Sequence, residues 1–209
     1  MTLPLVAALG PVLRGRVLFA VPTRAPRFAL TVDDGPDPAT TPALLEVLAR
    51  HGARATFFLL GERATEHPGL VARIAAAGHE LGNHTWRDEP TWRLPLDEFA
   101  AKLADTQRAL EEHGPVRWFR PGSGWPTARH LAITEGAGLR CVLGTAVAIS
   151  GAGAGTAGSA ARLDAVVRRG SVLVLHEGPG RAAVPGTVDA LLARTAARGL
   201  AAVTLSELA

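Results

Sequence analysis

The chain contains no tyrosine, one cysteine, one methionine and, at Lys102, one lysine among its 209 residues. Each shortage narrows what the protein can be. Cys141 has no second cysteine to pair with. It sits in the apolar run Leu139–Leu143, so it reads as a buried structural thiol rather than a nucleophile. Positive charge comes almost wholly from arginine and nets only +3, and no basic cluster interleaves with aromatics, which are 5% of the chain. Nucleic acid is therefore not an expected partner. No apolar run approaches the ~20 residues that span a bilayer, so no transmembrane segment is expected. Leu3–Leu13 is apolar, but no positive residue precedes it and no convincing cleavage site follows, which makes a poor secretory signal. The expectation is an apolar segment over residues 1–20 packed on the domain. Location is cytoplasmic by default, with cell-envelope association through a weak interfacial anchor as the alternative.

What the chain does have is apolar bulk. Hydrophobic residues make up 47% and charged residues 20%, so one folded domain over residues 21–209 is expected, without linker or repeat. Short apolar runs mark strands at Phe28–Val32, Ala55–Leu60, Glu80–Gly82, Trp118–Phe119, Leu139–Leu143, Val172–Leu175 and Ala201–Thr204. Segments between them predict helices at Thr41–Arg50, Pro68–Ala77, Pro95–His113, Thr127–Glu135, Asp164–Arg169 and Thr187–Arg198, each with a glycine at or just past its end. This alternation predicts an α/β fold with a parallel sheet and outer helices. Residues 144–161, rich in Gly, Ala, Ser and Thr, read as a loop.

Four segments carry chemistry. Phe28-Ala29-Leu30 leads into Thr31-Val32-Asp33-Asp34-Gly35-Pro36, two adjacent carboxylates at a strand tip. Alternation sends the two acids different ways, so one can hold a metal while the other stays free as a base. His84 and Asp88, in Gly82-Asn83-His84-Thr85-Trp86-Arg87-Asp88, are four apart, and one helical turn would place them on the same side. Asp34, His84 and Asp88 then make a one-histidine, two-carboxylate set for one divalent metal. Zinc is the first choice, with cobalt, nickel and manganese also suited. Arg120 opens Arg120-Pro121-Gly122-Ser123-Gly124, and His176 ends the run Val172–Leu175. Asp33, Asp34, His84, Arg120 and His176 each sit at or just past the C-terminal end of a predicted strand, the rim where parallel barrels assemble their sites.

In order and spacing these segments resemble the NodB-like polysaccharide deacetylase family of carbohydrate esterases, over roughly residues 17 to 208. The resemblance implies a distorted (β/α) barrel of about seven parallel strands, the NodB-homology domain. It implies metal-dependent removal of N-acetyl groups from an N-acetylglucosamine-containing glycan of chitin or peptidoglycan type. Asp33 corresponds to the general base, Arg120 to the cation that orients it, the Ser123 backbone N–H to an oxyanion donor and His176 to the general acid. Leu173, read as sharing the face of His176, is expected to line a pocket for the acetyl methyl. Trp125, with Trp86 and Trp92, is a candidate for stacking on sugar rings. No oligomeric state is implied.

The chain departs from the family pattern in three places. Asp88 stands where the family more often has a second histidine, and Ser123 where it often has tyrosine. Residues 144–150 have no aspartate to set the state of the catalytic histidine, and Ser150 falls near that position. Two rival readings follow: a catalytically weak or inactive carbohydrate-binding relative, and a hydrolase of another amide on the same scaffold. His51, His67, His113 and His130 read as surface or capping residues, and His79 as a packed or hydrogen-bonded one.

Overall fold

The apolar run that leads into the paired aspartates forms strand β2 (Arg27–Gly35), buried at every position past Arg27. The computed structural model describes residues 15–122, 126–147 and 155–209. A strand covered on both faces carries a continuous apolar run instead of an alternating one. The cover comes from parallel neighbours and helices. β8 (Val172–His176) pairs with one edge of β2 and β3 (Thr56–Leu59) with the other, while β9 (Ala201–Val203) pairs with its first residues. Beyond β3 follow β4 (Glu80–Asn83), β5 (Val116–Phe119), β6 (Arg140–Val142) and β1 (Val17–Leu18). β7 (Ala146–Val147) pairs with β8, and all these ladders are parallel. The chain passes from β6 almost directly into β7, so the strand order curls back to its far edge as a distorted (β/α) barrel. The seven expected strands are all present. β1 and β7, two residues each, are additional.

Helices α1 (Thr41–Arg50), α2 (Gly61–Glu66), α3 (Pro68–Ala76), α4 (Leu96–Glu111), α5 (Ala128–Gly136), α6 (Gly155–Val166), α7 (Val184–Ala197) and α8 (Leu205–Leu208) complete the described fold. Strand alternation splits the core in two. Phe28, Leu30, Val32, Leu173 and Leu175 pack outward with Leu44, Val47 and Leu191 of the helices. Ala29, Phe58, Trp118, Val142 and Val172 face the inside of the curl with Leu205 and Leu208 of α8. α8 closes the end where strands begin: Leu205 N–H donates to Thr56 Oγ1 at 2.9 Å, and Ser206 N–H to Glu80 Oε2 at 3.2 Å. The opposite end, where strands finish, carries the motif residues.

One expected element is corrected. The loop read over 144–161 and the helix read over Asp164–Arg169 give way to α6 from Gly155 to Val166. Ala160 and Leu163 are buried, and α6 packs along α7. Alanine is the best helix former, and its small side chain masks the apolar period. The apolar residues 1–14 lie outside the described residues.

Candidate active site

Thr31 and Asp33 are two apart on β2, so they share the inner face of the curl. Arg120, just past β5, reaches both: its Nη1 donates to Thr31 Oγ1 and to Asp33 Oδ1, each at 2.6 Å. Thr31 Oγ1 in turn donates to the Leu173 carbonyl at 2.7 Å. The guanidinium lies 4.1 Å from the centre of the Phe58 ring, a cation–π contact that fixes its plane. Asp33 and Arg120 are 2% and 3% exposed, so the pair is dry. Burial pushes the Asp33 carboxyl above the ordinary carboxylate range, and the Arg120 charge opposes that shift without cancelling it.

Asp33 is in direct register with His176 at the end of β8. Register partners on parallel strands share a face and lie about 4.8 Å apart, so the base and acid candidates are neighbours. The next residue, Glu177, locks the two strand tips together. Its N–H donates to the Asp33 carbonyl at 3.0 Å, and its Oε2 accepts from Thr40 Oγ1 at 3.0 Å and Thr41 Oγ1 at 2.7 Å. Burial raises the Glu177 carboxyl pKa to about 7.

Asp34 leaves the strand in the left-handed region, φ 70°, which turns its side chain away from that of Asp33. Its Oδ1 lies 3.3 Å from His84 Nε2. His84 Nδ1 donates to the Arg120 carbonyl at 2.8 Å, which leaves Nε2 aimed at Asp34. Burial alone would lower the His84 pKa. The negative charges of Asp33 and Asp34 outweigh it, so the imidazole is raised. Asp34 is lowered: burial opposes, but His84 and Arg181 prevail. The Arg181 guanidinium stands 3.1 Å from Asp34 Oδ2.

This donor pair fits a divalent cation. Ligand atoms ~2.05 Å from a tetrahedral ion are about 3.3 Å apart, which matches the Asp34–His84 spacing. The same gap is long for a charge-assisted hydrogen bond of ~2.8 Å. The His84–carbonyl bond is the outer contact that metal-bound imidazoles use to fix their tautomer. Asp88 does not join the pair. Residues 84–90 are not helical, and Asp88 is exposed. Among the described residues, no three His, Cys, Asp or Glu side chains gather as a metal-holding group.

A family model described as polysaccharide deacetylase matches residues 20–142. The chain belongs to the polysaccharide deacetylase family. A chitooligosaccharide deacetylase of Sinorhizobium fredii is 35% identical over 162 residues, 75% of this chain and 74% of the relative. A peptidoglycan-N-acetylglucosamine deacetylase of Bacillus cereus is 36% identical over 128 residues, 56% of this chain; the chain spans 46% of that relative's length. Among solved structures, a peptidoglycan N-acetylglucosamine deacetylase superposes with TM-score 0.89 at 28% identity, covering 95% of both chains. A family 4 acetyl xylan esterase of Clostridium thermocellum, in complex with a cobalt ion, gives 0.79 at 28% identity over 87% of this chain and 89% of its own.

Other expected site residues of this family member fare differently. Leu173 is fully buried in the outer, helix-facing core. It lies three residues before His176, so alternation turns it to the opposite face, and Val174 is the residue on the His176 side. Trp86 packs against Gly61, where a Cβ would come within 2.5 Å of its ring. Trp92 is 51% exposed, with Arg93 over its ring. Ser123, Trp125 and Ser150 lie outside the described residues. Cys141 is buried and its thiol is pushed up to about 12, which removes it as a nucleophile. His51 pairs with Asp189, and His79 accepts from the Ala55 N–H at 3.3 Å. Arg181 and Glu177 were not singled out from the sequence. Their only signal was charge directly after the strand ending in His176.

Proposed function

We propose that the chain hydrolyses N-acetyl groups on N-acetylglucosamine-containing poly- or oligosaccharides with one divalent cation held by Asp34 and His84. The observation that carries this reading is the meeting of two separate pairs at one rim. Asp33 with Arg120 is a buried, oriented base, and Asp34 with His84 is a donor pair at metal-shell spacing. Relatives named for chitooligosaccharide and for peptidoglycan substrates support the glycan class.

A bound cation supplies Lewis acidity toward the amide carbonyl and lowers the pKa of a water. The rest is the work of the chain's own groups. Arg120 occupies Asp33 Oδ1, and Asp33 takes the proton of the attacking water at its other oxygen. The raised pKa makes Asp33 a stronger base than an exposed carboxylate. His176, in register beside it, delivers a proton to the departing nitrogen as the C–N bond breaks. Water is thus added across the amide, giving acetate and a free amine. No helix among the described residues is long and apolar enough to cross a membrane.

The test is acetate release from chitooligosaccharides and peptidoglycan fragments before chelation, after chelation, and after adding back zinc or cobalt. Release lost on chelation and restored by metal supports the reading. Tight glycan binding without acetate at any metal favours the binding-only relative. Turnover restricted to non-sugar amides favours the third reading.

A further inference from the structure

A carboxylate that is to ligate a cation should present its oxygens free of other cations. Asp34 does not. Its Oδ1 faces His84, while Oδ2 faces the Arg181 guanidinium at 3.1 Å. The other acid at the rim, Asp33, is already matched by Arg120. Arg63, a further arginine at this tip, donates to the backbone carbonyl of Asp34 at 2.7 Å and takes no carboxylate oxygen. Arg181 is therefore the guanidinium that competes for the Asp34 carboxylate among the described residues.

The contact is built to be given up. Arg181 is anchored through its backbone: its N–H donates to the Gly178 carbonyl at 3.1 Å, and its carbonyl accepts from Val184 N–H at 2.9 Å. The side chain as a whole is 30% exposed, and its Nη1 is buried against Asp34, so moving to water uncovers that nitrogen without any backbone movement. Its Nη1 is charge-paired with Asp34, yet no partner meets hydrogen-bond geometry there. A guanidinium held by charge and not by a directional fork is the weaker kind of pair.

We propose that Arg181 is a displaceable counter-ion for Asp34, competing with a divalent cation and setting how tightly the site binds it. The inference rests on the reading of Asp34 and His84 as metal donors. Binding the cation requires Arg181 to swing out or to remain beside a second positive charge, and either course weakens binding. Removing the charge should tighten metal affinity about fivefold, the upper end of the scale of a partly exposed ion pair. It should not improve the fold.

The experiment is calorimetric titration of zinc and of cobalt into chelator-stripped wild type, Arg181→Gln and Arg181→Lys, with thermal unfolding run alongside. The expected result is a Kd about fivefold lower for Arg181→Gln, a Kd near wild type for Arg181→Lys, and a gap that narrows as salt screens the competing charge. A purely structural role would move the unfolding curve of both variants and leave this charge-dependent order absent. Arg181→Gln binding metal as wild type does, or more weakly, overturns the role of Arg181 alone. If neither wild type nor Arg181→Gln binds either metal while both stay folded, the metal reading itself is overturned and this inference with it.

Discussion

At Asp33 two effects of opposite sign meet. Burial raises its pKa and Arg120 lowers it, with burial ahead. A base works in its ionised form, so activity should fall as pH drops through a value above the ordinary carboxylate range. Arg120→Gln removes the lowering influence, which raises the Asp33 pKa further. The acid-side inflection of the kcat/KM profile should therefore move to higher pH, and an unmoved inflection would count against the Arg120–Asp33 assignment. Glu177 offers a stability prediction at the same scale. Its folded pKa is about 7 against an ordinary 4.5. The folded state keeps a proton that the unfolded chain loses in that window, so Glu177 costs stability as pH rises from 4.5 towards 7 and beyond. Glu177→Gln keeps an uncharged side chain there. It should gain on the order of 3 kcal/mol over wild type at alkaline pH and little at acid pH. Urea unfolding at both ends of the range checks this, and an equal effect at both would refute the buried-acid account.

Among the elements, strands were legible because buried parallel strands are continuous apolar runs, as Phe28–Val32 and Val172–Leu175 are. α6 was not, because Gly155–Val166 spreads its few large apolar residues among Gly, Ala, Ser and Thr. Leu173 shows how tight the strand rule is, since three residues from His176 means the opposite face. Asp88 shows where an i, i+4 reading breaks. Its premise was a helix, and Thr85 sits at φ 65°, outside any helix. The meeting of Asp33, Arg120 and His176 was legible because a motif residue at a strand end has one place to go. Arg181 was not, since it enters from a loop whose course the residue pattern does not set. One such loop junction joins the segment after β1 to the start of β8. Gly170 has φ 76°, and a Cβ there would lie 1.9 Å from the Val21 carbonyl oxygen. Its own carbonyl accepts from Val21 N–H at 2.9 Å. Gly170→Ala should therefore cost on the order of 2–4 kcal/mol, read as a lower midpoint in denaturant. An unchanged midpoint would mean the junction yields freely.

For the whole molecule, the barrel is sealed at one end and carries the motif residues at the other. α8 supplies the seal through Leu205, fully buried, and Leu208, with Thr204 and Glu207 forming a capping box at its start. Leu205→Ala opens the inner core where strands begin, far along the strands from Asp33 and His176. It should lower stability by about 2–4 kcal/mol while leaving the pH profile of the surviving folded protein unchanged. A shifted profile would mean that the two ends are coupled. Both pairs at the active rim depend on strand tips brought from distant parts of the chain, so the account stands on their acting together in one reaction. The most direct test is acetate release from an N-acetylglucosamine oligosaccharide by metal-loaded wild type and Asp33→Asn. The account predicts release by wild type and at least a ~100-fold loss per folded molecule in the variant, with glycan binding retained and the fold weakened by the unpaired buried Arg120. Acetate release by Asp33→Asn at the wild-type rate would contradict it.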